Sequence, residues 1–162
     1  AFQSDAVFSA SARENITLGR DIPDEALEKA IGNAQAGFVN ALEHGLDEHI
    51  QSRGANLSGG QRQRLLIARA LAGNPDILVL DDSSSALDYA TDAALRAALA
   101  TLSGTTIFLI SQRIACVRHA DRILVLDNGA LVGSGRHEEL MKNCAVYRGI
   151  FESQFPEGEE EK

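Results

Sequence analysis

Residues 77–82 read ILVLDD, an aliphatic run that shows no polar alternation and ends in two adjacent carboxylates. A strand with one wet face alternates apolar and polar residues, so an unbroken run fits a strand covered on both faces, as in a parallel sheet flanked by helices. A second run of this kind, TTIFLIS at 105–111, follows an Ala- and Leu-rich helical stretch over 89–102. After a short helix, RILVLDNGALVGSG (122–135) reads as two strands joined at Asn128-Gly129. That dipeptide is the strongest short hairpin signal, because both of its residues tolerate the positive φ of a tight turn. Helices alternating with buried strands define an α/β sheet with helices on its faces.

Helical segments precede this part. Residues 1–20 read as loop and short turns. DEALEKAIGNA, with Pro23 before it and acids in its first turn, is a good helix start. FVNALEH fits a second short helix, closed at Gly45 by a left-handed cap. LSGGQRQRLLIARALAGNP (57–75) carries Ser58 and Gln61 in a capping-box spacing, then Leu65, Leu66, Arg69, Ala70 and Leu71 at helical intervals, until Gly73 and Pro75 end the helix. HEELMKN and AVYRGIFESQF form two closing amphipathic helices. No internal repeat is visible.

Composition narrows the function. The chain is 44% hydrophobic with no Trp and 5% aromatics, so its core is built from Leu, Ile, Val and Ala. The net charge of −8 argues against nucleic acid, which needs a basic footprint. Part of that charge sits in the terminal EGEEEK, expected to be an acidic disordered tail over 157–162. Cys116 and Cys144 have neither metal-ligand nor redox spacing and read as reduced thiols. No apolar run reaches the ~18–20 residues of a membrane span, and no signal peptide is present. The opening AFQSDAVFSA contains no Met and starts in mid-pattern, as expected of a piece of a longer polypeptide.

Asp81 closes a buried strand, where α/β sheets place their ligands, and a carboxylate there suits Mg²⁺ held through water. Gly59 and Gly60 allow close backbone approach to a ligand, and Ser58 opens a helix whose free N–H groups and dipole attract anions. Together, LSGGQ followed by QRQRLLIARAL, a strand ending in Asp-Asp and then SALD resemble the nucleotide-binding domain of an ATP-binding cassette (ABC) transporter of exporter type. The resemblance implies a P-loop NTPase-like ABC ATPase fold, of which this chain is the C-terminal part, with a helical subdomain. Its expected parts are a Q-loop region (1–20), the helical subdomain ending in the signature helix (21–72) and part of the α/β core (73–156), followed by the tail.

By the same resemblance, Leu57, Ser58, Gly59, Gly60 and Gln61 form the signature that clamps ATP held by a partner domain. Ser85, Ala86, Leu87 and Asp88 form the D-loop at the dimer interface. Gln3 is the Q-loop glutamine, which with Asp81 manages Mg²⁺. ATP and Mg²⁺ are the implied cofactors. The implied partners are a second nucleotide-binding domain, head to tail, and the membrane domain of an exporter at the cytoplasmic face of the plasma (inner) membrane. A non-transport ABC-type ATPase is the alternative; such proteins usually carry long insertions or basic surfaces, which this chain lacks.

The chain departs from the family pattern at several points. Asp82 stands where the family has the glutamate that polarises the attacking water, and Gln112, before Arg113, stands where it has a histidine. Glutamine forms hydrogen bonds but cannot carry the proton. Ser52 replaces an acidic residue of many exporters. Both Asp82 and Gln112 serve the chain's own nucleotide, whereas LSGGQ serves the partner's. The expectation is therefore a heterodimeric exporter subunit with a degenerate site of its own and an intact signature for its partner. No G-x-x-x-x-G-K-[ST] occurs in the 162 residues, so the chain alone is expected to bind ATP weakly or not at all. The repulsion between Asp81 and Asp82 is expected to be relieved by the pleat, which points successive side chains to opposite faces.

Overall fold

The computed structural model describes residues 6–83 and 85–155. Gln3, Ser84 and the acidic tail lie outside these. The chain divides into two units, Ala1–Phe108 and Leu109–Lys162, described in turn.

The first unit opens with β1 (Ala10–Ser11), α1 (Ala12–Thr17) and α2 (Asp24–Asn33). Three 3-10 turns follow (Gly37–Ala41, Gly45–Asp47 and Ser52–Gly54), with β2 (His49–Ile50) between the second and third. Next come α3 (Gly59–Leu71), β3 (Ile77–Asp81) and α4 (Tyr89–Ala100), and β4 (Thr106–Ile110) crosses into the second unit. The second unit continues with α5 (Ile114–Val117), the hairpin β5 (Ile123–Asp127) and β6 (Ala130–Gly135), then α6 (His137–Asn143) and α7 (Ala145–Gln154).

Local sequence explains most of these elements. In α2, Asp24 and Glu25 sit in the first turn, where the helix dipole favours acids, and Leu27, Ala30 and Ile31 form the buried stripe at helical spacing. The core of the unit gathers Ile16, Leu27, Ile31, Val39, Ile50, Leu65, Ile67 and Leu80, all fully buried. Each such side chain contributes about 1.5–3 kcal/mol relative to exposure. β1 pairs antiparallel with β2, with Ala10 opposite Ile50. β3 pairs with β4 after the α4 crossover.

Three expectations are corrected. The first twenty residues contain α1, capped at Ser11. The Ser11 hydroxyl accepts from Glu14 N–H at 3.1 Å, and the Glu14 carboxylate accepts from Ser11 N–H at 2.8 Å. FVNALEH forms only 3-10 turns, because Leu42 turns extended after five residues and so short a segment cannot offset the cost of helix nucleation. Finally, the aliphatic strands are not covered on both faces. Leu78 and Leu80 are buried and β3 packs on α3, yet Ile77 is 62% exposed, and in β4 Phe108 and Ile110 are 51% and 53% exposed. The runs encode apolarity on both faces, and the helices of the chain cover one.

In the second unit the hairpin turns at Asn128 and Gly129, with φ of 47° and 79°, as the dipeptide requires. Ile123 and Val125 face a core with Ile114, Leu140, Cys144 and Tyr147. A bulge follows Val125: it lies opposite Gly133, whereas Leu126 lies opposite Leu131.

Candidate functional site

Ser58 is the N-cap of α3 and holds an extended backbone. Its hydroxyl accepts from Gln61 N–H at 3.2 Å, while the Gln61 side-chain oxygen accepts from Ser58 N–H at 2.9 Å. A helix start exposes four orphan N–H groups. The capping box takes those of Ser58 and Gln61 and leaves those of Gly59 and Gly60. The two remaining donors therefore belong to residues with no side chain of their own to shade them from an incoming anion; Gly59 is exposed and Gly60 half-buried. The Ser58 hydroxyl proton adds a third donor, since only its oxygen is engaged by the cap.

The loop after β3 sits against this helix start. Asp81 is half-buried at the strand end. Asp82 has left the strand and takes φ +44°. The two carboxylates are thus separated by a left-handed backbone step rather than by the pleat, which corrects the expectation above. Left-handed backbone is strained for most residues but relatively tolerant of Asp and Asn. The Asp82 carbonyl accepts from Ser85 N–H at 3.3 Å, from the Ser85 hydroxyl at 3.0 Å and from the Gln63 amide at 3.1 Å. The other end of the Gln63 amide accepts from Ala86 N–H at 3.1 Å. A Cβ placed on Gly60 would lie 3.0 Å from the Ala86 carbonyl oxygen, so the loop backbone rests directly on that glycine. Asp88 caps α4: its carboxylate accepts from Thr91 N–H at 2.9 Å and from the Thr91 hydroxyl at 2.8 Å. These bonds hold its carboxyl below the usual carboxylate range.

Behind the helix start, the arginines after the signature turn inward to carbonyls. Arg64 donates to Gly60 O at 3.2 Å and Gln35 O at 2.8 Å, and lies over the Phe38 ring. Arg62 donates to Arg53 O at 3.2 Å. Further along α3, Arg69 donates to Asn15 O at 2.7 Å, Ala6 O at 2.8 Å and the Asn15 side-chain oxygen at 3.1 Å. Asn15 is fully buried; it accepts from Phe8 N–H at 2.9 Å and donates to Phe8 O at 2.9 Å and Ser11 O at 3.1 Å. Asn56 fastens the loop before the signature, accepting from Gln51 N–H at 2.9 Å and donating to His49 O at 3.0 Å.

The structure thus brings Leu57, Ser58, Gly59, Gly60 and Gln61 beside the segment from Asp81 to Asp88 within the first unit. Gln112 belongs to the second unit. It is exposed, and its carbonyl accepts from the Gln154 amide at 2.7 Å, while Gln154 also accepts from Ile114 N–H at 2.9 Å. Among the described residues no group of three or more His, Cys, Asp or Glu side chains could hold a metal ion. Sequence reasoning missed Gln63, Asn15 and Asn56. Nothing in a one-dimensional pattern marks an amide whose partners lie 19 and 23 residues away.

The first unit thus sets a glycine-opened helix start beside the carboxylate end of a strand, the arrangement of a phosphate-binding α/β protein. The family model described as ABC transporter matches residues 1–85, just over half of the chain. The chain belongs to the ABC transporter family. It is 43% identical over 157 residues to the Beta-(1-->2)glucan export ATP-binding/permease protein NdvA of Nitrobacter winogradskyi, covering 95% of this chain and 26% of that protein. It is 42% identical over 157 residues to the probable multidrug resistance ABC transporter ATP-binding/permease protein YheI of Bacillus subtilis, covering 94% and 26%. A bacterial Atm1-family ABC exporter solved with ATP bound superposes with a TM-score of 0.90 at 34% identity, covering 96% of this chain and 28% of that one. The chain spans about a quarter of the length of the curated relatives it matches.

Proposed function

We propose that the chain is the C-terminal part of the ATP-binding and hydrolysing domain of an ABC exporter, at the cytoplasmic face of a membrane, coupling ATP turnover to transport. The observation that carries this reading is the start of α3, where capping leaves two glycine N–H groups and the Ser58 hydroxyl as outward donors. Those donors and the helix dipole suit the terminal phosphate of an ATP held by a second domain in a head-to-tail dimer. Gln61 holds Ser58 in place, and Leu57 leads the chain into the cap.

On the chain's own side, Asp81 offers a hard oxygen donor at the strand end. A carboxylate at a strand end suits Mg²⁺ held mainly through water and phosphate oxygens, and Gln3 is proposed as the second protein group. When bound, the ion supplies positive charge against the phosphates. Asp88 fixes the first turn of α4 and with it the loop that faces the partner.

Asp82 and Gln112 replace the residues that position and deprotonate water in the family pattern. The chain's own nucleotide therefore turns over slowly, and the intact signature serves the competent site of a different subunit. The 162 residues contain no P-loop motif, so by themselves they do not hydrolyse ATP. The exporter reading is supported by the two relatives, both ATP-binding/permease proteins. The test is steady-state ATPase of the complete polypeptide, purified alone and together with its partner subunit in lipid. Turnover only in the mixed assembly meets the expectation; full turnover by a homodimer refutes the asymmetric site, and no Mg·ATP-dependent turnover in either refutes the reading.

A further inference from the structure

We infer that Gln63 is a positioning residue that joins the start of α3 to the 82–88 loop, so that the grip on a neighbouring molecule's phosphate and the placement of this chain's own carboxylates shift together. The inference rests on the reading of α3 given above and adds a coupling that this reading does not contain.

Gln63 lies one turn into α3, and its amide is used at both ends on one loop. It donates to Asp82 O and accepts from Ala86 N–H, each at 3.1 Å. Asp82 is held at φ +44°, a left-handed backbone that costs a non-glycine residue some energy and is supported here by three hydrogen bonds to its carbonyl. Gln63 supplies one of those bonds from outside the loop; the other two come from Ser85 within it. The second contact is steric. The Ala86 carbonyl closes on Gly60 so tightly that a Cβ there would sit at 3.0 Å, and Gly60 carries one of the two free N–H donors. A shift of the loop by a few tenths of an ångström is therefore passed to a phosphate-facing donor and to the backbone that aims Asp82. Only a glutamine fits both bonds: glutamate has no donor for Asp82 O, methionine has neither group, and asparagine is a methylene too short.

The test uses the complete transporter with Gln63→Met, Gln63→Glu and, as a separate arm, Ser58→Asp. Steady-state ATPase gives kcat and KM, and hydrogen exchange reports the Ala86 amide. Gln63→Met is expected to lower kcat about 10- to 100-fold with KM for ATP within about twofold, because placement and not nucleotide binding is lost. The Ala86 amide should exchange faster. Gln63→Glu, which keeps the acceptor for Ala86 and has nearly the same shape, should fall between; it also serves should the Met variant fail to fold. If both Gln63 variants keep kcat within about twofold of wild type while Ser58→Asp abolishes turnover, the coupling is wrong and the reading of α3 stands. If KM rises in step with the loss of kcat, Gln63 serves folding or binding and the inference also fails. Should Ser58→Asp turn over ATP normally, the reading of α3 falls and the coupling falls with it.

Discussion

The Ser58→Asp substitution separates two roles that one hydroxyl performs. As an N-cap, Ser58 accepts from Gln61 N–H at 3.2 Å, and Gln61 answers at 2.9 Å. Aspartate caps as well as serine does, and a negative charge at a helix start gains ~0.3–1 kcal/mol from the dipole. The urea midpoint of the chain should therefore stay or rise, whereas Ser58→Ala should lose ~1 kcal/mol. The effect on nucleotide has the opposite sign. A carboxylate about 4 Å from a phosphate charge costs ~4 kcal/mol at an effective dielectric of 20. That corresponds to about 10³-fold in affinity for each charge met. The assays are urea denaturation of the chain and ATP-driven subunit association of the complete protein, with ATPase rate as a third readout. A Ser58→Asp protein as stable as wild type yet unable to close on ATP is the expected result. Wild-type association would show that the helix start does not meet a phosphate. A stability loss above about 1 kcal/mol would show that the capping geometry is misread.

Other consequences are open to measurement. Asn15→Ala removes three well-placed hydrogen bonds to backbone and one to Arg69, at about 0.5–1.5 kcal/mol each. A total of about 3 kcal/mol should lower Tm by ~6–12 °C, and a loss under ~0.5 kcal/mol would contradict the network. On the proposed asymmetric assembly, Asp82→Glu with Gln112→His in the complete protein should raise turnover of the chain's own nucleotide about 10²-fold, read by single-turnover hydrolysis. The Glu side chain must accept the left-handed backbone at Asp82, so the paired variant should also be slightly less stable. Burial pushes the His137 imidazole down, Arg118 adds to this, and its Nδ1 lies 2.9 Å from the Tyr147 hydroxyl. A depressed imidazole binds fewer protons folded than unfolded. Stability of the second unit should therefore rise with pH up to about 6.5 and level off above it, and His137→Asn should flatten that slope. Glu14 and Asp88 carry lowered carboxyls through their caps, so their contribution is present above about pH 4 and disappears as pH falls through the lowered folded values.

What could be read in advance followed from short-range rules. Asn128-Gly129 announces its hairpin because few other dipeptides tolerate two positive φ values. Ser58 and Gln61 announce the start of α3 because cap and partner lie three residues apart. The same Ser-x-x-Glu spacing at Ser11 and Glu14 marks α1, and only the apolar look of its surroundings concealed it. Long-range contacts left no trace of this kind. The Gln63 amide, the Asn15–Arg69 network and the close fit of Ala86 on Gly60 join segments far apart in sequence, using residue types that are equally at home on a wet surface. The left-handed step at Asp82 was hidden for another reason: the strand pattern runs up to it unbroken, and one of the three hydrogen bonds that hold its carbonyl comes from α3.

The two cysteines give the molecule an internal clock. Cys116 and Cys144 form no disulfide, are buried and both lie in the second unit, with Cys144 packed under Gly133, where an added Cβ would meet its sulfur at 2.9 Å. Both are largely covered in the closed unit, so the rate of alkylation by a water-soluble thiol reagent is expected to track opening of that unit with no engineered label. The first unit holds no thiol and stays silent. Slower alkylation when nucleotide or a companion subunit is added marks protection of the carboxyl-terminal third of the chain, by tightening or by direct cover.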